Sequence, residues 1–284
     1  MSIQDPQTAH HGSSFALSFL FLPRPKRQAI QRVYAFCRAL DDVSDCALTT
    51  DEKKRGLEFW RRELDRCYTG QASHPTAMAL QETIREFHLT RSYFDELLQG
   101  VEMDLTITRY QNFLHLSQYC YRVAGTVGLI CLEIFGCPKD HCYDYAVALG
   151  LAFQITNILR DIKDDAQRGR IYLPQDDLRR FGYTEAELMA HTYNERFVGL
   201  MRFESERAGD YFRRAADLLQ PKYRRRLIAS EIMAAIYFVL LQRIKAARYN
   251  VFEHPIRLSR PHKLALAMRT ALMNQIGIGR AISA

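Results

Sequence analysis

The stretch FQITNILRDIKDD (residues 153–165) decides the fold, because it combines an apolar helix with two carboxylates that point the same way. Apolar side chains lie nearly all round this helix, which is typical of a buried helix. At about 100° per residue, Asp161 and Asp165 lie one turn apart on a narrow stripe. The polar residues of the stripe, with the arginine that follows the segment, are Gln154, Asn157, Asp161, Asp165 and Arg168.

A second stretch, VYAFCRALDDVSD (residues 33–45), repeats this arrangement. The residues between its polar positions are again mostly apolar, and Asp42 lies off the stripe. One DxxxD pattern indicates only a solvated helix face. Two of them, each with an arginine and an amide or a tyrosine alongside, indicate a functional site. In chain order this is the first acidic stripe, which consists of Tyr34, Arg38, Asp41 and Asp45. The stripe in the 153–165 stretch is the second acidic stripe.

Two carboxylates on one face of a buried helix are unfavourable unless they protonate or bind cations. Carboxylate and amide oxygens without histidine or cysteine nearby suit Mg²⁺, which proteins commonly share between carboxylates and substrate phosphates. Arginines complement phosphate oxygens. The two stripes therefore predict a metal–diphosphate site in an apolar pocket of a helical bundle. The arginines are Arg38, Arg160, Arg168 and Arg170.

Helical periodicity dominates the rest of the chain, and alternating strand patterns with tight turns are absent. We expect an all-α fold with one domain over residues 11–284 and a flexible stretch over residues 1–10. The segment at 168–184 carries two glycines and a proline and predicts a loop with short helical turns. The predicted helices cover about 24–45, 51–68, 75–88, 91–108, 113–136, 138–165, 194–218, 221–247 and 260–276.

Charge and cysteine content narrow the function classes. The net charge of +7 fits nucleic acid, an anionic membrane or small anionic substrates. No basic, aromatic-rich tail favours nucleic acid, and Arg224, Arg225 and Arg226 are expected to form a solvated face. The seven cysteines lack CxxC pairs, so we expect most of them to pack as small hydrophobic residues and the compartment to be the reducing cytoplasm.

The sequence predicts no membrane-spanning helix, because no apolar run reaches about 18 residues. The start of the chain lacks the charged and apolar regions of a secretion signal. The C-terminal stretch LALAMRTALMNQIGIGR (264–280) fits either a last core helix or a helix lying on a bilayer, and we expect the core helix. Transient contact with the inner face of the membrane remains an expectation.

Three long motifs resemble the signatures of the squalene/phytoene synthase family. YAFCRALDDVSD (34–45) resembles its first acidic signature, YCYRVAGTVG (119–128) its middle signature, and GLAFQITNILRDIKDDAQRGRIYLP (150–174) its second acidic signature with an arginine loop. The resemblance extends from about His11 to Lys263. It implies an isoprenoid-synthase helical bundle with a central cavity.

The resemblance also implies roles for individual residues. Two to three Mg²⁺ ions would be held by Asp41, Asp45, Asn157, Asp161 and Asp165. The substrate would be contacted by Ser14, Tyr34, Arg38, Gln154, Arg160 and Tyr237, and the site would be closed by Arg168, Arg170 and Tyr172. Tyr119 would lie near the reacting carbons, and Asp41 and Asp161 would be essential for turnover. Asp104 is either a further site residue or a helix-surface acid. Relatives often have lysine where Ser13 stands and arginine where His254 stands, and Arg257 lies near the latter.

Among the branches of the family, the bacterial presqualene diphosphate synthases are most closely resembled by SSFALSFLFLPRPKRQAI (13–30), EMDL (102–105) followed by TRY (108–110), and MAAIYFVLL (233–241). This implies a prenyltransferase that condenses two farnesyl diphosphates to presqualene diphosphate in squalene and hopanoid biosynthesis. Squalene, dehydrosqualene or phytoene synthesis is the alternative, and a non-catalytic helical assembly factor is the alternative outside enzymes. NADPH is not expected as a cofactor, nucleic acid is not expected as a partner, and enzymes of later steps in squalene formation are expected as partners.

Overall fold

The computed structural model describes residues 14–253 and 255–276, with side chains from residue 17 onward. Within these ranges the chain forms helices and no strand, and an isolated bridge pairs Arg109 with Ile171. The predicted all-α fold is confirmed. The helices are α1 (Ser14–Phe19), α2 (Arg24–Asp45), α3 (Thr50–Thr69), α4 (Pro75–Phe87), α5 (Arg91–Thr106), α6 (Phe113–Cys120), α7 (Thr126–Phe135), α8 (Lys139–Gln167), α9 (Gln175–Arg180), α10 (Glu185–Met189), α11 (Glu195–Leu218), α12 (Ile228–Ala246) and α13 (Arg260–Gln275).

The predicted helix over 113–136 is interrupted. A π turn (Tyr121–Gly125) separates α6 from α7. Such turns insert one residue into the helical ladder and frequently occur at functional sites. The turn carries Val123 and Ala124 into the wall of the central cavity described below.

The predicted helix over 221–247 begins later than expected. A 3₁₀ turn (Pro221–Tyr223) comes first, and α12 starts only at Ile228. In the intervening segment, Arg224 pairs with Glu231 at 3.3 Å, so the prediction of a solvated face was wrong for this arginine. Short α1 was also missed, because six residues carry too little periodicity to be recognised.

The long helix α8 organises the bundle by packing against α7, α11, α12 and the π turn. The buried residues of α8 span nearly its whole length, from Cys142 to Ala166. All seven cysteines are free, and burial raises the pKa of the thiols of Cys37, Cys120 and Cys131 far above its ordinary value. Cys67, Cys120, Cys137 and Cys142 are buried, as expected for packing residues, whereas Cys37 and Cys131 line the cavity described below.

Gly150 allows α8 to approach the π turn closely. A Cβ added there would lie 2.8 Å from the Ala124 carbonyl oxygen and from the backbone of Gly125. Because these atoms belong to rigid backbone, they cannot move aside cheaply. The close crossing fixes the position of α8 relative to the cavity wall.

Gly150→Ala is expected to lower the free energy of unfolding by about 1–3 kcal/mol through overpacking. The control is Gly209→Ala in α11, where the new Cβ would meet only the flexible Arg213 side chain at 3.4 Å. That variant is expected to be neutral or stabilised by up to about 1 kcal/mol. Urea unfolding measures both, and an equal loss in the two variants would contradict the close crossing.

Candidate active site

A cavity of about 500 Å³ runs through the centre of the bundle, between α2, α5, the π turn, α7, α8 and α12. Its lining residues on α8 extend from Tyr145 to Asp165. Tyr145 and Asp161 are 16 positions apart, which is about 24 Å at 1.5 Å per residue. Along this wall the lining changes from apolar residues to the second acidic stripe, so the cavity has a charged end and an apolar end.

The structure brings nearly all the predicted site residues to this cavity. The side chain of Ser14 lies outside the described residues, as does His254. Arg257 is exposed, and its carbonyl accepts a hydrogen bond from Arg243 at 2.7 Å. The predicted residues in the lining are Tyr34, Arg38, Asp41, Asp45, Tyr119, Gln154, Asn157, Arg160, Asp161, Asp165, Arg168, Arg170, Tyr172 and Tyr237.

Arginines from the loop after α8 reach across the cavity to the first acidic stripe. The guanidinium groups of Arg168 and Arg170 lie 3.7 Å and 3.4 Å from the carboxylate of Asp45. Arg38, on the same stripe, lies 3.6 Å from Asp41 and donates to Asp42 at 2.9 Å. These guanidinium groups therefore already neutralise the carboxylates of α2. An anionic ligand would compete with the carboxylates for the arginines.

The second stripe pairs in a similar way. Arg160 donates two hydrogen bonds to Asp161, at 2.7 Å and 2.5 Å. One turn earlier, the Oδ1 atom of Asn157 is buried and has no hydrogen-bond partner among the described residues. A buried amide oxygen without a partner is costly, and a bound cation would satisfy it.

The pKa values of one carboxyl on each stripe show the electrostatic conflict. Burial, with a smaller contribution from Asp45, raises the pKa of Asp41 to about 6 despite the lowering effect of Arg38. Burial and the neighbouring Asp161 raise the pKa of Asp165 to about 7. Both groups therefore hold their negative charge at a cost near neutral pH, and a divalent cation would relieve it.

The carboxylates do not form a closed metal cage by themselves. In the described part of the chain, no three His, Cys, Asp or Glu side chains lie close enough together to bind one ion. Mg²⁺ usually keeps several waters and takes ligands from one or two carboxylates plus substrate phosphates. The oxygen donors of the two stripes therefore fit Mg²⁺ that is completed by phosphate oxygens.

Asp104 belongs to the cavity and is not a helix-surface acid. It accepts hydrogen bonds from the hydroxyl groups of Tyr119 at 3.0 Å and Tyr172 at 2.8 Å. Burial raises the pKa of Asp104, while Arg170 and the two hydroxyl groups oppose the rise. The ring of Tyr110 lies 5.5 Å from that of Tyr119 and 5.8 Å from that of Tyr172.

Sequence reasoning missed the place of Tyr110 in this cluster. Its side chain is fully buried, and its hydroxyl oxygen has no hydrogen-bond partner in the described ranges. The Tyr172 ring that it stacks against lies 62 positions further along the chain. A single sequence carries no signal for such a contact.

A buried polar network contacts the apolar end of the cavity through Tyr145. Tyr145 lines the cavity and donates a hydrogen bond to Glu231 at 3.4 Å, and Arg224 pairs with the same carboxylate. The side chain of Glu231 is 5% exposed, so most of its charge is balanced by protein groups. The network therefore joins α8, α12 and the preceding segment at this end.

Comparison with known proteins identifies the family. The squalene/phytoene synthase family matches residues 8–262, and the chain belongs to this family. It is 38% identical over 272 residues to a 15-cis-phytoene synthase of Synechocystis sp., covering 90% of this chain and 80% of that protein. It is 34% identical over 274 residues to a presqualene diphosphate synthase of Rhodopseudomonas palustris, covering 94% and 98% of the two chains.

Solved structures show the same fold. A dehydrosqualene synthase in complex with a ligand superposes with a TM-score of 0.83 at 29% identity, covering 96% of this chain and all of that chain. The squalene synthase HpnC from Alicyclobacillus acidocaldarius superposes with a TM-score of 0.78 at 30% identity, covering 86% and 92%. The expected helical isoprenoid-synthase fold is confirmed.

Arg224→Ala is expected to lower the free energy of unfolding by about 3 kcal/mol, because the buried carboxylate of Glu231 loses its arginine partner. The matched control is Arg225→Ala, since the adjacent Arg225 is exposed. Its expected effect is within about 0.5 kcal/mol. Denaturant unfolding compares the two, and equal stability would contradict a structural role for the buried pair.

Asp165→Asn is expected to stabilise the metal-free protein above pH 7. The folded-state pKa of Asp165 is raised to about 7 from an ordinary 3.8. The free energy of unfolding of the wild type therefore falls as the pH rises from the lower to the higher of these two values. The asparagine variant lacks this loss, so its Tm in EDTA should exceed that of the wild type at pH 8 and approach it as the pH falls. Asp164→Asn, at an exposed neighbouring position, should show no such pH-dependent gain.

Added Mg²⁺ together with inorganic diphosphate should reverse the order of the Tm values. The wild type and Asp164→Asn are expected to gain thermal stability, and Asp165→Asn should gain less, because a predicted ligand is missing. A wild type that is already more stable than Asp165→Asn in EDTA at pH 8 would contradict the electrostatic conflict.

Proposed function

We propose that this protein condenses two molecules of farnesyl diphosphate head to head and forms presqualene diphosphate in a Mg²⁺-dependent reaction. The observation that carries the proposal is that two acidic stripes and four arginines meet at one end of a long apolar cavity. Such a cavity fits a ligand with an anionic head and a hydrocarbon tail.

The charged end would bind the diphosphate groups. Asp41, Asp45, Asn157, Asp161 and Asp165 would hold Mg²⁺, which when bound neutralises the charge on a leaving diphosphate. Arg160, Arg168 and Arg170 would exchange their present carboxylate partners for phosphate oxygens. The carboxylates are thereby freed for metal binding as the substrate arrives.

The apolar end would hold the two hydrocarbon chains and exclude water. In the proposed reaction the C1–O bond of one farnesyl diphosphate breaks, its electron pair leaves with the diphosphate, and an allylic cation remains. The 2,3-double bond of the second molecule attacks this cation, and loss of a proton closes a cyclopropane ring. The second diphosphate stays attached, so the product is presqualene diphosphate.

Tyrosines near the charged end would stabilise the cation through their ring faces. Tyr119 and Tyr237 line the cavity, and the Tyr237 ring lies 4.5 Å from that of Phe153. Burial and the nearby Asp104 raise the pKa of Tyr119 well above its ordinary value. A tyrosinate base is therefore disfavoured, and we assign proton removal to the departing diphosphate.

Phytoene formation from two geranylgeranyl diphosphates is the second candidate. It is favoured by the 38% identity to a 15-cis-phytoene synthase, whereas the presqualene diphosphate synthase is matched over 98% of its length. Squalene and dehydrosqualene formation share the first half-reaction and differ in the fate of the cyclopropyl intermediate. The intact acidic stripes argue against a non-catalytic assembly factor.

Incubation of the purified protein with Mg²⁺ and either farnesyl or geranylgeranyl diphosphate, with and without NADPH, tests the proposal. Mass spectrometry should show presqualene diphosphate from the farnesyl substrate in both the presence and the absence of NADPH. Squalene that forms only with NADPH would indicate a complete squalene synthase. A product formed only from the geranylgeranyl substrate would instead support phytoene synthesis.

Asp161→Ala is expected to lower turnover by at least about 10³-fold, because it removes a carboxylate from the charged end. The matched control is Asp164→Ala, at an exposed position three residues along the same helix, and it should retain turnover within about twofold. Circular dichroism should show equal helix content in both variants. Near-normal turnover in Asp161→Ala would contradict the proposed site.

A further inference from the structure

The exposed side of α13 is apolar, which is unusual for a surface helix. Leu264, Met268, Leu272 and Ile276 recur at every fourth position and are 46%, 58%, 59% and 57% exposed. They form one stripe along about 18 Å of helix. We call these four residues the α13 stripe. The opposite side of the helix, with Ala267 and Thr270, is buried against the protein.

Among the residues that the structure describes, packing accounts for only one side of this helix. α13 contacts α12 and α1, and Asn274 donates to the carbonyl of Arg224 at 3.0 Å. The expectation of a last core helix therefore holds for the buried face alone. An exposed apolar stripe of this length indicates a surface that binds something.

Every Lys, Arg, Asp or Glu in the chain segment that carries the stripe is basic. Glu253 is the last acidic residue of the chain. Residues 254–284 contain five Lys or Arg and no Asp or Glu, and thus contribute +5 of the net +7. Arg260 and Arg269 are exposed on α13 itself. Apolar residues flanked by arginines and lysines are typical of a helix that lies on an anionic membrane surface.

Two other occupants of the stripe are less suited to it. Residues 1–13, MSIQDPQTAHHGS, are mostly polar and too poor in large apolar side chains to cover three turns of helix. A second copy of the chain would bring two acid-free basic segments together, and their repulsion opposes such a dimer. An anionic bilayer complements both the apolar side chains and the charge.

The stripe also lies on a helix that begins beside the charged end of the cavity. Burial and the nearby cation of Arg160 both lower the pKa of Lys263 in the first turn of α13. Arg160 is the residue that pairs with Asp161 in the cavity. A membrane bound along α13 would therefore lie near the site where, under the proposed function, hydrocarbon chains enter and leave.

We propose that α13 docks the protein onto an anionic bilayer, with the α13 stripe inserted among the lipids and the surrounding arginines and lysines on the phosphate groups. The proposal rests on the exposed side chains and the charge distribution. Only the usefulness of such docking rests on the proposed function, because that function has a lipid-like substrate and product.

Sedimentation of the full-length protein with vesicles tests this docking. Vesicles of phosphatidylcholine with added phosphatidylglycerol should bind the protein at least about tenfold more tightly than pure phosphatidylcholine vesicles. The binding should weaken as salt is raised. Equal binding to both kinds of vesicle, or no binding to either, would overturn the proposal.

Single substitutions test the stripe itself. Met268→Glu and Leu272→Glu are each expected to weaken vesicle binding by about tenfold or more. The matched control is Met78→Glu, which makes the same change at a 51% exposed methionine of α4 and should leave binding unchanged. Thermal unfolding should show that all three variants are folded. Vesicle binding by Met268→Glu as tight as that by Met78→Glu would overturn the assignment.

Two further readouts separate the remaining explanations. Sedimentation velocity should show the same oligomeric state for the wild type and Leu272→Glu. A wild-type dimer that Leu272→Glu dissociates without loss of vesicle binding would make the stripe a self-association surface. Turnover of the wild type and of Leu272→Glu is measured in parallel in detergent solution. If Leu272→Glu retains turnover but loses vesicle binding, the result supports docking. Vesicle binding without any turnover in the wild type supports docking while it refutes the proposed function.

Discussion

Like charges held close together at the charged end of the cavity are the constraint on which this structure depends. Two helices each present a pair of carboxylates one turn apart, and burial raises the pKa of one carboxyl in each pair. Arginines from α2, α8 and the following loop compensate this charge in the ligand-free protein. The same arginines suit a diphosphate, so a ligand that brings both anions and divalent cations can rearrange the site without leaving a charge unpaired.

The long helix α8 connects this charged end to the rest of the molecule. Its first half forms the apolar wall of the cavity, and its last three turns carry the second acidic stripe. The close crossing at Gly150 and the buried pair of Arg224 and Glu231 fix the wall at two points. Rigid helices thus position the carboxylates, whereas the arginines that partner them come partly from a loop.

Much of the fold was predictable from the sequence, because periodic apolar residues determine which helix faces are buried. The helices that carry the two stripes were predicted with boundaries within about two residues of those observed. Helix geometry also predicted that the polar residues of each stripe lie on one side of their helix. The start of α12 and the inward turn of Arg224 were not predictable, since both depend on a partner brought close by packing. The cluster of Tyr110, Tyr119 and Tyr172 around Asp104 was hidden for the same reason.

We propose that the two stripes and their arginines act together as one metal–diphosphate site. A crystal structure with Mn²⁺ and inorganic diphosphate, in which anomalous scattering locates the manganese, tests this proposal. Manganese is expected at both stripes together with diphosphate, and Arg160 and Arg170 are expected to turn from Asp161 and Asp45 onto the phosphates. Manganese bound elsewhere, or diphosphate bound while both arginine–aspartate pairs stay intact, would contradict it.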